Sequence, residues 1–166
     1  MTSASFLATT LAPGLSFLTA TVGPTPPDTD AARLLLLAIA GQESGWQNIP
    51  QGGGGPGRGP WQFEPETCKE LMFNPESAAF YTKICMALSI VPSRTYDGLL
   101  AHPNLAVSLA RLDLWCNPNP LPEVGDQESA WEYYLETWRP GSPGPDRWPA
   151  NYQAAMAAMK LTGEQT

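Results

Sequence analysis

Apolar residues return every third or fourth position along three segments of this chain, and that spacing predicts helices. Over residues 74–89 the stripe is Phe80, Ile84 and Leu88; over residues 103–115 it is Leu105, Leu109, Leu112 and Trp115; over Gln127–Trp138 it is Trp131, Tyr134, Leu135 and Trp138. A fourth segment, residues 34–40, is apolar on every side, which places it inside a core rather than on its surface. Asp28 or Asp30 is its expected N-terminal cap. Pro65, Pro75 and Pro103 follow the polar residues Glu64, Asn74 and His102, and each opens a helix at a position that tolerates a missing N–H. No stretch of comparable length alternates apolar and polar residues with β-branched enrichment, so little sheet is expected. The predicted fold class is mainly α.

Proline and glycine mark the breaks. Thr25, Pro26, Pro27 and Asp28 separate an N-terminal apolar segment, residues 1–27, from a main domain, residues 28–166. Residues 2–22 are rich in small and apolar side chains and read either as an extra packed helix or as a docking surface for a partner. Residues 52–59 hold six glycines in eight positions, a composition that predicts an irregular loop. A chain of 166 residues suffices for one domain with one core, without help from metals or disulfides.

Composition narrows the function classes. Nine Lys and Arg against sixteen Asp and Glu give a net charge of −7, and the basic residues are scattered singly. Phosphate neutralisation needs clustered cations, so neither nucleic acid nor an anionic membrane surface is an expected partner. The strongest apolar run, residues 34–40, is too short to span a bilayer, so no membrane insertion is expected. The first basic residue is Arg33. A secretory signal needs a charged start, so the expectation is synthesis in the cytoplasm and delivery by other means. Cys68, Cys85 and Cys116 leave at least one thiol unpaired, which fits a reducing compartment and three small core residues. With His102 they show no CxxC spacing, and no metal or other cofactor is expected. His102 also lacks a Ser or Cys nucleophile in a triad setting and reads as a helix-start residue. Gly52, Gly54 and Gly57 match GxGxxG spacing, but no strand precedes them and Pro56 removes a phosphate-binding N–H.

The chemistry concentrates where the buried helix ends, in Gly41, Gln42, Glu43, Ser44, Gly45 and Trp46. A carboxyl there is desolvated and lies at the negative end of the helix dipole, and both effects raise its pKa. A glutamic acid kept protonated near neutrality is what a general acid requires. Position alone leaves open a Glu43 that turns out to water beyond the helix end. Beyond the glycine loop come Gly57, Arg58, Gly59, Pro60, Trp61, Gln62, Phe63, Glu64, Pro65, Glu66 and Thr67. The order of these groups resembles the lysozyme-like lytic transglycosylase family, which includes goose-type lysozymes: a Glu-Ser at the end of a buried helix, a variable loop, a Gly-Leu-Met-Gln turn with a following apolar residue, then Pro-x-Thr. Here Glu43-Ser44, Gly59, Gln62-Phe63 and Pro65-Glu66-Thr67 match, and Pro60-Trp61 stands in place of Leu-Met. The resemblance covers roughly residues 30–158, and its specific part is residues 34–67.

It implies a single-domain lysozyme-like helical fold with a central buried helix and the glycine loop at a cleft. It also implies Glu43 as catalytic acid and base, with Ser44, Gln62 and Phe63 beside the substrate. Residues 130–134 followed by Trp138, Arg139, Pro140 and Gly141 are similar to the family's Ala-x-Tyr-Asn-x-Gly element without its Asn, which brings in Tyr134. Tyr152 is the match to a closing Tyr that approaches the catalytic carboxyl. The glycine loop reads as a mobile rim from which Arg58 meets an acidic muropeptide, or equally as a surface loop with a solvated Arg. Seven of the sixteen aromatic residues fall between positions 115 and 152, and flat rings suit hexose faces. Of these, Trp131, Tyr134 and Trp138 share a stripe and are expected in the core, and Tyr133 and Trp148 are expected to be exposed. Glu64, Glu66 and Asp97 are the candidates for any second carboxylate.

The implied reaction is cleavage of the β-1,4 bond between N-acetylmuramate and N-acetylglucosamine in peptidoglycan, with Glu43 as acid and then base and a 1,6-anhydro product. Hydrolysis by a muramidase is the near alternative, and a non-catalytic virion or wall-binding protein on the same scaffold is the distant one. The implied setting is a bacteriophage protein associated with other virion proteins and acting on glycan strands in the host periplasm or wall.

Overall fold

A computed structural model describes residues 1–163, and the fold is mainly α. The helices are α1 (Ser3–Phe6), α2 (Ala12–Val22), α3 (Asp30–Ser44), α4 (Pro65–Phe73), α5 (Ala78–Leu88), the single turn α6 (Thr95–Gly98), α7 (Pro103–Cys116), α8 (Gln127–Trp138) and α9 (Trp148–Gly163). A π turn, Leu7–Leu11, joins α1 to α2 into one run. Among the described residues there is no strand, and β-type pairing is confined to the bridges Pro50 with Arg58 and Arg58 with Phe63.

α3 is the axis of the molecule. Its residues from Leu34 through Gln42 are all buried, as expected of a helix without a polar face. It packs most extensively against α9 and also touches α7 and α8. The cap is neither Asp28 nor Asp30. Thr29 accepts from the Ala32 N–H at 3.2 Å, because its extended backbone (φ −118°) turns the hydroxyl back over the first turn. Asp28 instead pairs with Arg33 at 2.6 Å.

The N-terminal run is a packed helix in this structure. Phe6, Leu7, Leu11, Leu15 and Leu18 are buried in the same cluster as α3 and α7, and Ser3 Oγ donates to the Ala154 carbonyl of α9 at 3.0 Å. By length and composition alone Ser3–Val22 could cross a membrane, which the strongest apolar run, residues 34–40, could not. Its approach to α7 is close enough to require glycine: a Cβ on Gly14 would lie 2.5 Å from Val107 Cβ. Gly14→Ala is expected to cost about 1–3 kcal/mol by overpacking, and Val107→Ala in the same protein to recover part of that loss. Denaturant unfolding of the single and double variants measures both.

The helix expected from Asn74 begins at Ala78. Asn74 Oδ1 accepts from the Glu76 N–H at 2.8 Å, and the buried Ser77 donates to the Leu71 carbonyl at 2.7 Å. These local bonds hold a turn where the proline pattern predicts a first helical turn. Pro103 and Gln127 open helices as expected, although the His102 side chain makes no cap bond. Tyr133 and Trp148, expected to be exposed, are buried. The Tyr133 hydroxyl donates to the Leu114 carbonyl at 2.9 Å, and Trp148 stacks on Tyr134 with ring centroids 5.3 Å apart. Cys68 and Cys85 are buried and Cys116 is half-buried, all as free thiols.

Candidate active site

Glu43 occupies the last turn of α3, where the helix must stop without losing the buried carbonyls behind it. Gly45 (φ 63°) and Trp46 (φ 61°) both take the left-handed conformation, and their N–H groups return to the carbonyls of Gly41 and Ala40 at 3.1 Å each. Trp46 folds back along the helix and donates from its indole nitrogen to the Leu37 carbonyl at 2.9 Å. That fold-back is why residue 41 is glycine: a Cβ there would sit 2.6 Å from the Trp46 ring. Gln42 is buried, donates to the carbonyls of Pro143 and Gly144, and accepts from Asn151 Nδ2 at 2.8 Å. Two other chain segments, residues 143–144 and α9, therefore lock the residue preceding Glu43.

The Glu43 side chain is half-buried and lines a cleft of about 1060 Å³. Its Oε1 accepts from the Tyr134 hydroxyl at 2.6 Å. Burial raises its pKa above the ordinary carboxyl value, the Tyr134 bond and the charge of Arg147 pull it partly back, and Glu64 adds to the rise. The net direction is upward, so the acid form persists to higher pH than in a free glutamate. Tyr134→Phe removes the donor that favours the carboxylate. The expected result is a further rise, seen as the alkaline limb of the pH–rate profile moving to higher pH; a limb that stays put or moves down contradicts the geometry.

The sequence-predicted residues divide into those the cleft contains and those it does not. Ser44, Gln62 and Phe63 line it with Glu43 and Tyr134. Ser44 serves the backbone: its Oγ lies 3.1 and 2.9 Å from the carbonyls of Ala40 and Pro60 and accepts from the Gln47 N–H at 3.0 Å. Gln62 sits at φ 50°, and its amide nitrogen donates to the Ile49 and Gly59 carbonyls at 3.0 and 2.7 Å. It closes the turn through its amide nitrogen, and among the described residues its side-chain carbonyl oxygen makes no hydrogen bond. Phe63 is buried and packs on the Trp138 ring at 5.9 Å.

Arg58 lies outside the cleft. Its guanidinium covers the Tyr96 ring at 4.0 Å and bonds the Tyr96 carbonyl and Asp97, because the Arg58–Phe63 bridge turns it to the other side of the loop. Asp97 is drawn away with it, paired also to Arg94 at 2.6 Å. Tyr152 is a core residue too, accepting from the Gly125 N–H at 3.1 Å. Tyr134 occupies the place expected of Tyr152. Tyr134 is buried in the core as expected, with its hydroxyl at Glu43; Trp138, expected there too, is half-buried and lines the cleft, and Trp131 packs on the Tyr134 ring.

Four of the cleft residues that were not anticipated bear on its chemistry. Asn151 precedes Tyr152 by one residue and faces the other way, Arg147 ends the turn before α9, and Arg139 follows α8 and pairs with Glu70 at 2.8 Å. The fourth, Asp113, lies on the cleft face of α7. Its sequence signal is its spacing: positions 106, 109, 110 and 113 form one stripe whose first three members are buried apolar residues. Family models, curated proteins and solved structures give no match to this chain.

Proposed function

We propose that the cleft binds a glycan strand of peptidoglycan and that Glu43 cleaves it as a lytic transglycosylase. The observation that carries this reading is the Glu43 carboxyl, held by Tyr134 at 2.6 Å in the wall of a cleft of about 1060 Å³, with burial raising its pKa. Protonated Glu43 gives its proton to the glycosidic oxygen between N-acetylmuramate and N-acetylglucosamine as that bond breaks. The resulting carboxylate then takes the proton of the muramate 6-hydroxyl, whose oxygen closes on the anomeric carbon. The proton count balances, no water is consumed, and the product is a 1,6-anhydro ring. Tyr134 orients the carboxyl through both steps, and the positive charge of Arg147 steadies the carboxylate between them. No step calls on a cofactor.

Hydrolysis is the second reading, favoured by the further carboxyl groups in the cleft, among them Glu64, Glu66 and Asp113. An inverting hydrolase needs such a group to activate water about 6.5–9.5 Å from the acid. Mass spectrometry of fragments from purified peptidoglycan separates the two, since anhydro ends lack the water that reducing ends contain. In either case the partner is a wall polymer. A bacteriophage virion protein acting on the host wall is the setting this reading carries. A protein that binds peptidoglycan and releases no fragments is instead a non-catalytic binding or structural protein.

A further inference from the structure

Asp113 is a carboxyl placed where the helix otherwise buries alkyl groups. It continues the α7 stripe of Ala106, Leu109 and Ala110, and among the described residues it makes no side-chain hydrogen bond or ion pair. Its charged neighbours are already engaged with each other, Arg139 with Glu70 at 2.8 Å. The Tyr133 hydroxyl is directed to the Leu114 carbonyl. Burial raises the Asp113 pKa to about 7, with Arg139 opposing and Glu70 adding to the rise. Asp113 is half-buried, so a carboxyl without a partner there is partly desolvated, and a leucine would extend the apolar stripe without that penalty.

Its open side is the cleft. The same cleft is lined by Thr67, Thr137 and the half-buried ring of Trp138. A flat indole and a partner-free oxygen acceptor lining one cleft have the chemistry of a sugar subsite: the ring takes an apolar hexose face and the carboxyl takes the polar edge. We propose that Asp113 is a substrate-binding residue that accepts a hydroxyl or acetamide N–H from a sugar ring seated against Trp138. The inference rests on the glycan reading of the cleft and adds a second point of contact on the strand besides Glu43.

The test uses the full chain carrying Glu43→Gln, which binds without turnover, and a soluble tetramer of N-acetylglucosamine as probe. Added Asp113→Leu is expected to keep or raise the melting temperature and to weaken binding about tenfold or more, the loss of one hydrogen bond to a charged or strongly polar group. Asp113→Asn keeps an acceptor in the same place and is expected to bind within a few-fold of the parent. Equal affinity of the Leu variant and the parent overturns the proposal and leaves the Glu43 reading standing. Should the Leu variant fail to fold, the carboxyl carbon resonance of Asp113 in the parent decides: a shift on adding the tetramer supports contact, and an unmoved signal while other cleft signals move overturns it. A parent that binds no tetramer, in a protein whose native form clears no peptidoglycan, removes both readings together.

Discussion

Replacing Glu43 by Gln is expected to slow the clearing of purified peptidoglycan about 10²- to 10⁴-fold, the usual contribution of a positioned general acid–base group. The fold should not suffer. Gln keeps an Oε1 that accepts from Tyr134, so the 2.6 Å contact retains both partners. The sign of the charge effect points the same way. Burial raises the folded-state pKa of Glu43 above its unfolded value, so its stabilising contribution is complete below the unfolded pKa and is lost as pH rises through the folded one. Gln has no such loss, and at neutral pH the variant should melt at or above the temperature of the parent. Turbidity clearing and thermal unfolding on the same preparations give both numbers. Equal clearing by the two proteins would end the enzymatic reading, since nothing else in the proposed cycle moves the proton.

How far the sequence could lead depended on the range of the forces involved. The three periodic segments and the all-apolar segment became α5, α7, α8 and α3 because a stripe of side chains has few other ways to be buried. The end of α3 was legible only in part, since Gly41 and Gln42 separate Glu43 from the seven apolar residues and its position alone left open a side chain turned out to water. Decisions that rest on one local hydrogen bond were not legible. Thr29 rather than its acidic neighbours caps α3, and the Asn74 turn displaces a helical one.

Long-range choices were less legible still. Tyr134 and Tyr152 are both buried tyrosines on helices facing α3, and only the packing of α8 and α9 decides which hydroxyl reaches Glu43. Arg58 illustrates the same limit, because the bridge that turns it toward Tyr96 is set by a pairing across the Gly59–Gln62 turn. Asp113 did leave a trace in the sequence, as the one charge on an otherwise apolar stripe. A charge at that spacing is informative because burying it without a ligand or partner is unfavourable.

Trp61→Ala is expected to be the most destabilising single change near the site, costing about 3–5 kcal/mol. That is a large share of the roughly 5–15 kcal/mol by which domains are usually stable. Trp61 is fully buried although it lies in a turn. Its indole N–H donates to the Leu36 carbonyl at 2.9 Å, its ring meets Phe6 edge-on at 5.6 Å, and its own carbonyl accepts from the Trp138 indole at 3.1 Å. The side chain thus joins the N-terminal helix and α3 to the turn that carries Gln62, and the backbone of the same residue holds α8. Here lies the physical sense of a large aromatic ring between Gly59 and Gln62: it anchors the turn in the core rather than facing the cleft. Trp61→Phe keeps most of the buried ring while losing the N–H, so its cost should be well below that of the Ala variant. Denaturant unfolding ranks the two. Activity per folded molecule then asks a separate question, because a turn that has lost its anchor should misplace Gln62 and Trp138 and slow clearing even in the folded fraction. Full activity in folded Trp61→Ala would mean that the turn is held by its own Arg58–Phe63 pairing, and that the core contact contributes stability alone.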